Sequence, residues 1–115
     1  MKKNNILKSN ADFTRIINSQ KCLKGYHFIL YYEITESKNY HFGFSVGKKI
    51  GNAVTRNKIK RQLKNIIDKK EYQCGFNCVI ITKRNVLDIN YQEMSFELLK
   101  MLDKLKFIKR EDLNV

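Results

Sequence analysis

Proline and tryptophan are absent from this chain, histidine occurs only twice, and acidic residues are outnumbered by Lys and Arg, 11 to 23. With no proline, repeat or low-complexity tract, nothing along the 115 residues reads as a linker, and the whole is read as one domain. There is no tryptophan, long apolar run or lipidation motif to carry the chain to a membrane. The opening "MKKNNILKSN" is charged but has no apolar core, so it is not a signal peptide, and a cytoplasmic location is expected. The cysteines, Cys22, Cys74 and Cys78, are odd in number and suggest no disulfide framework. No second Cys/His pair completes a zinc site, so no metal is expected on the protein and all three read as small buried hydrophobes. His27 and His41, each expected in a strand with no acid–base partner beside it, form no catalytic constellation.

Positive charge is what the chain has in excess. The formal net charge is +12 and the sequence pI about 9.7, while 43% hydrophobic residues suffice for a folded core. A small domain this basic pays for its self-repulsion by meeting a polyanion, and nucleic acid is the first candidate.

The elements follow from periodicity. "NADFTRIINS" (10–19) spaces Phe13, Ile16 and Ile17 as a helix, with Asn10 as the expected N-cap. A short extended piece near Lys21–Lys24 precedes the strand "YHFILYYEIT" (26–35). "ESKN" suits a hairpin loop leading into the strand "YHFGFSVG" (40–47). A helix is expected from about Ala53 to Lys69, then Gly75 and the strand "NCVIITK" (77–83), apolar on both faces as a central strand requires. The last helix starts with Asn90 and Glu93 in capping-box relation, and Met94, Leu98, Met101, Leu102 and Leu105 form its apolar stripe. The order αβββαβα predicts an α+β fold, an α/β sandwich with a single mixed four-stranded sheet and helices packed on it.

Between Lys48 and Lys70 stand nine Lys/Arg and one acid, Asp68, so a net +8 lies in a fifth of the chain. On a helical wheel Ile59, Leu63, Ile66 and Ile67 share the side that faces the sheet. Asn57, Lys60, Arg61 and Lys64 fall on an outward stripe, Lys58 lies further round, and Arg56 occupies the first turn. Acids are too few for i,i+4 ion pairs, so the stripe is read as a phosphate-binding face. Gly43, Gly47 and Gly51 recur every four residues, but the spacing is one short of a Walker loop and no Ser/Thr follows the lysine, which excludes a nucleoside triphosphate site. Gly47 and Gly51 are instead expected to allow tight turns and close approach of an RNA phosphate to the helix N-terminus.

A second surface is expected in "YHFILYYEI". Phe28, Leu30, Tyr32 and Ile34 make one face, sufficient for a core; His27, Ile29, Tyr31 and Glu33 make another, more apolar than solvent needs. In the next strand His41, Gly43, Ser45 and Gly47 oppose the aromatic face and are small enough to leave a groove open. An aromatic in a positively flanked groove suits single-stranded RNA, because bases stack on it.

At "FGFSVGKKIGNAVTRNKIKRQLK" the chain resembles the bacterial ribonuclease P protein component, and the resemblance extends to "ADF", "FILYY" and the "VII-x-K" strand. It implies an auxiliary subunit of an RNA-based endonuclease: the protein binds ribonuclease P RNA and the 5′ leader of precursor tRNA, needs no protein partner, and the RNA cleaves with Mg²⁺. Lys48, Lys49, Asn52, Arg56, Asn57, Lys58, Lys60, Arg61 and Lys64 match the RNA-facing positions. Phe13, Ile17, Ile29 and Tyr31 match the leader cleft, Ile17 standing where an aromatic is frequent. Lys58 and Lys64 stand where the family usually has Arg, which keeps charge but loses the bidentate fork. The resemblance also implies a left-handed crossover between parallel strands, against the general right-handed rule. A ribosomal protein or RNA chaperone would share the charge without the ordered strand–turn–helix motif.

Overall fold

The run Phe76–Thr82, apolar on both faces, becomes one of the two interior strands of the sheet, and the other elements are arranged around it. The computed structural model describes residues 1–110. In chain order the elements are α1 (Asn10–Asn18), β1 (Cys22–Lys24), β2 (Phe28–Ile34), β3 (Tyr40–Ser45), α2 (Ala53–Ile67), β4 (Phe76–Thr82) and α3 (Tyr91–Lys104). Short 3₁₀ turns occupy Lys3–Asn5, Lys48–Ile50 and Arg84–Asp88. The sheet is mixed, ordered β1-β2-β4-β3; β4 runs antiparallel to β2 and parallel to β3.

Alternation along the strands sends side chains to two cores. Phe28, Leu30, Phe42, Phe76, Cys78 and Ile80 lie under α2 and α3, which contribute Ile59, Leu63, Ile66, Ile67, Met94, Leu98 and Leu102. Each such aliphatic or aromatic side chain gains about 1.5–3 kcal/mol on leaving water, so this face holds most of the fold's stability. The opposite face is smaller: Val79 packs with Leu7 and with Ile16 of α1. Beyond α3, Phe107 returns to stack on Phe76, ring centroids 3.9 Å apart. The Asn90–Glu93 capping box forms as expected: Asn90 Oδ1 accepts from the Glu93 N–H at 2.9 Å, and Glu93 Oε1 accepts from the Asn90 N–H at 3.3 Å.

Several expectations are corrected. The N-cap of α1 is Ser9, whose Oγ accepts from the Asp12 N–H, and Asn10 is already helical. β2 and β3 are not a hairpin, because β4 lies between them. Their connection wraps around Gly75, which accepts from the Thr35 N–H and donates to the Asn39 carbonyl, each at 2.8 Å. Gly75 has φ +87°, where a side chain would strain the backbone, and a Cβ there would sit 2.9 Å from the Thr35 carbonyl oxygen. α2 stops at Ile67 rather than Lys69. Ile34, expected in the core, is 63% exposed because it ends the strand. Of the cysteines only Cys78 is buried, which pushes its thiol well above the usual range; Cys22 is half-buried and Cys74 exposed.

Candidate nucleic-acid interface

α2 presents its charge as the wheel predicted. Asn57, Lys58 and Arg61 are exposed, Lys60 and Lys64 half-exposed, while Ile59, Leu63, Ile66 and Ile67 anchor the helix to the sheet. Among the described residues no Lys or Arg between 48 and 64 makes a salt bridge. Lys58 departs from the outward stripe and lines a depression toward α3 with Gln62, Tyr91 and Met94. Arg56 is half-buried, since its wheel position lies near those of Leu63 and Ile67, and its Nε is buried without an acceptor among the described residues. Such an unmet donor is uncommon in native folds and marks a position that an external oxygen can complete.

The turn before α2 is built differently from expectation. Lys48–Ile50 is a 3₁₀ turn with Lys48 and Lys49 exposed and Ile50 buried beneath them. Gly47 has φ −74° and Gly51 is extended, so neither is required by a left-handed conformation. A Cβ on Gly47 would meet nothing within 4 Å, which leaves the backbone there open to approach. Asn52 is the N-cap of α2, its Oδ1 accepting from the Thr55 N–H at 2.9 Å, so only its Nδ2 remains to face outward.

On the other face of the sheet, α1 crosses β2 and β4. Phe13, Ile17, Tyr31 and Ile81 are partly buried around Ile16 and Val79, with edges left in solvent. Phe13 lies over Gly43: a Cβ there would come 2.5 Å from the Phe13 Cζ. The space expected above Gly43 is therefore filled. The open part of the face runs instead along the register row Lys24, Ile29, Ile81 and Ser45. Ser45 and Ile81 continue into a depression lined by Gly47, Lys48, Lys49 and Arg84, so this row and the basic turn meet at one end of the sheet.

Behind α1 a polar chain crosses the sheet. Arg15 donates to Glu33 twice, Nε to Oε1 at 3.0 Å and Nη2 to Oε2 at 2.6 Å, and a third time to Asp12 Oδ1 at 2.6 Å. Asn77 Nδ2 donates to Glu33 Oε2 at 2.8 Å, which turns its Oδ1 to His41 Nδ1 at 2.7 Å. An amide oxygen only accepts, so His41 must carry its proton on Nδ1. The guanidinium of Arg15 holds the Glu33 carboxyl below its ordinary range. His27, expected without an acidic neighbour, has one: Nδ1 lies 2.6 Å from Glu97 Oε1, and Glu97 Oε2 accepts the His27 backbone N–H at 2.8 Å. Folding brings α3 against the start of β2, a contact invisible at a sequence separation of 70. This carboxylate is occupied in holding the start of β2.

Residues 1–106 match the family model for Ribonuclease P. The chain belongs to the ribonuclease P protein family. It is 38% identical over 109 residues to the ribonuclease P protein component of Mycoplasma capricolum, covering 92% of this chain and all of that one. The corresponding protein of Streptococcus agalactiae is 36% identical over 103 residues, covering 89% and 94% of the two chains. Among solved structures, the Staphylococcus aureus RNase P protein superposes with a TM-score of 0.81 at 29% identity, covering 91% of this chain and 98% of that one. The expected α+β architecture is thus the family's. As a family member the chain is the protein subunit of ribonuclease P, an endoribonuclease of tRNA processing whose catalysis is performed by RNA. No helix among the described residues is long and apolar enough to cross a membrane.

Arg84 was missed by sequence reasoning. It follows Lys83 at the end of the "VIIT" strand, and a basic pair closing a central strand was the available signal. Parallel pairing of β3 and β4 brings this end beside Ser45 and the Lys48–Lys49 turn.

Proposed function

We propose that the two surfaces divide the work of the ribonucleoprotein between them. The ribonuclease P RNA docks on Lys48, Lys49, Asn52, Arg56, Asn57, Lys58, Lys60, Arg61 and Lys64. The 5′ leader of precursor tRNA lies single-stranded along Phe13, Ile17, Ile29 and Tyr31. Continuity between the two carries the reading: the Ile29–Ile81–Ser45 row runs into the depression beneath Lys48, Lys49 and Arg84. A leader stacked on the groove would pass its phosphates to these cations, Arg84 among them, as it approaches the RNA.

In this scheme the protein holds and orients, and the RNA cleaves. Mg²⁺ serves the RNA, where it supplies the positive charge that phosphodiester hydrolysis needs. The charge on α2 screens phosphate repulsion between the two RNAs, and the unmet Nε of Arg56 takes a phosphate oxygen after a small side-chain movement. The complex works in the cytoplasm as one RNA-binding domain on its RNA, with no further protein required.

The test is a pair of affinities measured with the reconstituted Tyr31→Ala variant. Loss of one stacked base should cost about 1–3 kcal/mol for precursor tRNA and almost nothing for mature tRNA, which has no leader. Equal losses on both would remove the groove from the scheme.

A further inference from the structure

The groove is only as well defined as the position of α1, and α1 rests on a small core. Its one fully buried side chain is Ile16, and the second core comprises just Leu7, Ile16 and Val79. These three, with half-buried Phe13 resting on Gly43 and Ile17 beside it, hold α1 by apolar contact from one flank, which constrains distance better than rotation of the helix about its own axis. Rotation matters, because Phe13 and Ile17 present their edges from one flank of that axis.

Polar contacts hold the other flank. Arg15 reaches across to β2 and grips Glu33 with two parallel bonds, 3.0 and 2.6 Å. Glu33 is itself held by Asn77 of β4, and Asn77 by His41 of β3, so the grip spans three strands. A planar guanidinium on a carboxylate constrains angle as well as distance, unlike an apolar contact. Glu33 lies two register positions beyond Tyr31 and Val79, the next on that face, on the side away from Ile29 and Ile81. The Ser19 hydroxyl, within 3.4 Å of the Tyr32 carbonyl oxygen, adds only a long contact at the helix end.

We propose that Arg15 and Glu33 are positioning residues for leader recognition: their bidentate bond sets the rotation of α1 and thereby the shape of the groove at Phe13, Ile17 and Tyr31. Neither residue needs to touch RNA for this. The proposal rests on the leader-groove reading, and its experiment separates the two.

Four reconstituted variants are compared by the ratio of precursor to mature tRNA affinity: Glu33→Gln, Arg15→Lys, Asp12→Asn and Tyr31→Ala. Glu33→Gln keeps size and can still bond Asn77 but loses the charged fork, and should lower the ratio roughly five- to thirtyfold, the factor that corresponds to about 1–2 kcal/mol. Arg15→Lys keeps charge without the fork and should fall between Glu33→Gln and the parent. Asp12→Asn disturbs Arg15 without touching the sheet and should leave the ratio near the parent's. Binding of ribonuclease P RNA should be unchanged in all four, which a general loss of folding would not give. If Tyr31→Ala lowers the ratio and Glu33→Gln does not, the groove stands and the positioning role is overturned. If neither lowers it, the groove reading itself has failed and the proposal falls with it.

Discussion

Gly43→Ala is the smallest change that reports on the groove. The added Cβ would stand 2.5 Å from Phe13 Cζ, 2.9 Å from Cε1 and 3.1 Å from Cε2. Ordinary carbon contact begins near 3.4 Å, so the ring must retreat by about 1 Å, yet Phe13 is tied through its helix to buried Ile16. Overpacking of this kind costs about 1–3 kcal/mol, and the gain from replacing a strand glycine returns at most about 1 kcal/mol. The expected net loss is about 1–2 kcal/mol, read as a lower urea midpoint with an unchanged slope. Phe13→Leu removes the atoms that collide, so adding it to Gly43→Ala should cost less than the two changes do separately, a coupling of about 1 kcal/mol or more. Additive costs would show that Phe13 does not rest on Gly43, and the description of the groove would be wrong at its base.

Other consequences are direct. Replacing Arg56, Lys60 and Arg61 together by Ala should lower the salt slope of RNA binding by up to about 2–3 in log–log form; an unchanged slope with native circular dichroism would mean this face does not meet RNA. Tyr32 packs edge-on to Phe107 at 5.6 Å, so Tyr32→Ala should cost roughly 2–4 kcal/mol of stability while sparing leader discrimination, the reverse of Tyr31→Ala. Glu33 has a lowered pKa, so the unfolded state takes its proton first as pH falls. Its contribution is full above the ordinary value of 4.5 and is lost below it as pH descends through the folded value. Glu33→Gln should therefore flatten the acid limb of stability against pH and leave its slope at neutral pH unchanged; an unaltered acid limb would refute the Arg15–Glu33 bond.

Much of this arrangement was legible in periodicity. The spacing of Ile59, Leu63, Ile66 and Ile67 placed the charged stripe of α2 outward, and the two-faced apolar run at Phe76–Thr82 marked the central strand. The Asn90–Glu93 box was readable because both of its bonds are local. Strand pairing was not, since "ESKN" looks like a hairpin loop whichever neighbour its strands choose; β4 pairs with both strands and so separates them, a long-range choice that no local pattern records. The groove was half legible. Alternation gave the faces, but whether small residues leave space or receive a ring depends on how α1 crosses the sheet, and Gly43 receives Phe13. The partners of His27 and His41 arise from separations of 70 and 36 residues, which no local pattern records.

The central claim is that this chain supplies binding and the RNA supplies chemistry. It is tested most directly by measuring 5′ processing of a precursor tRNA across a Mg²⁺ titration, with ribonuclease P RNA alone, the protein alone, both together, and the RNA with the Arg56, Lys60 and Arg61 triple variant. The account predicts no cleavage by the protein alone, cleavage by the complex at Mg²⁺ concentrations where the RNA alone is slow, and loss of that gain in the triple variant. Cleavage by the protein without RNA, or an undiminished gain in the triple variant, would contradict it.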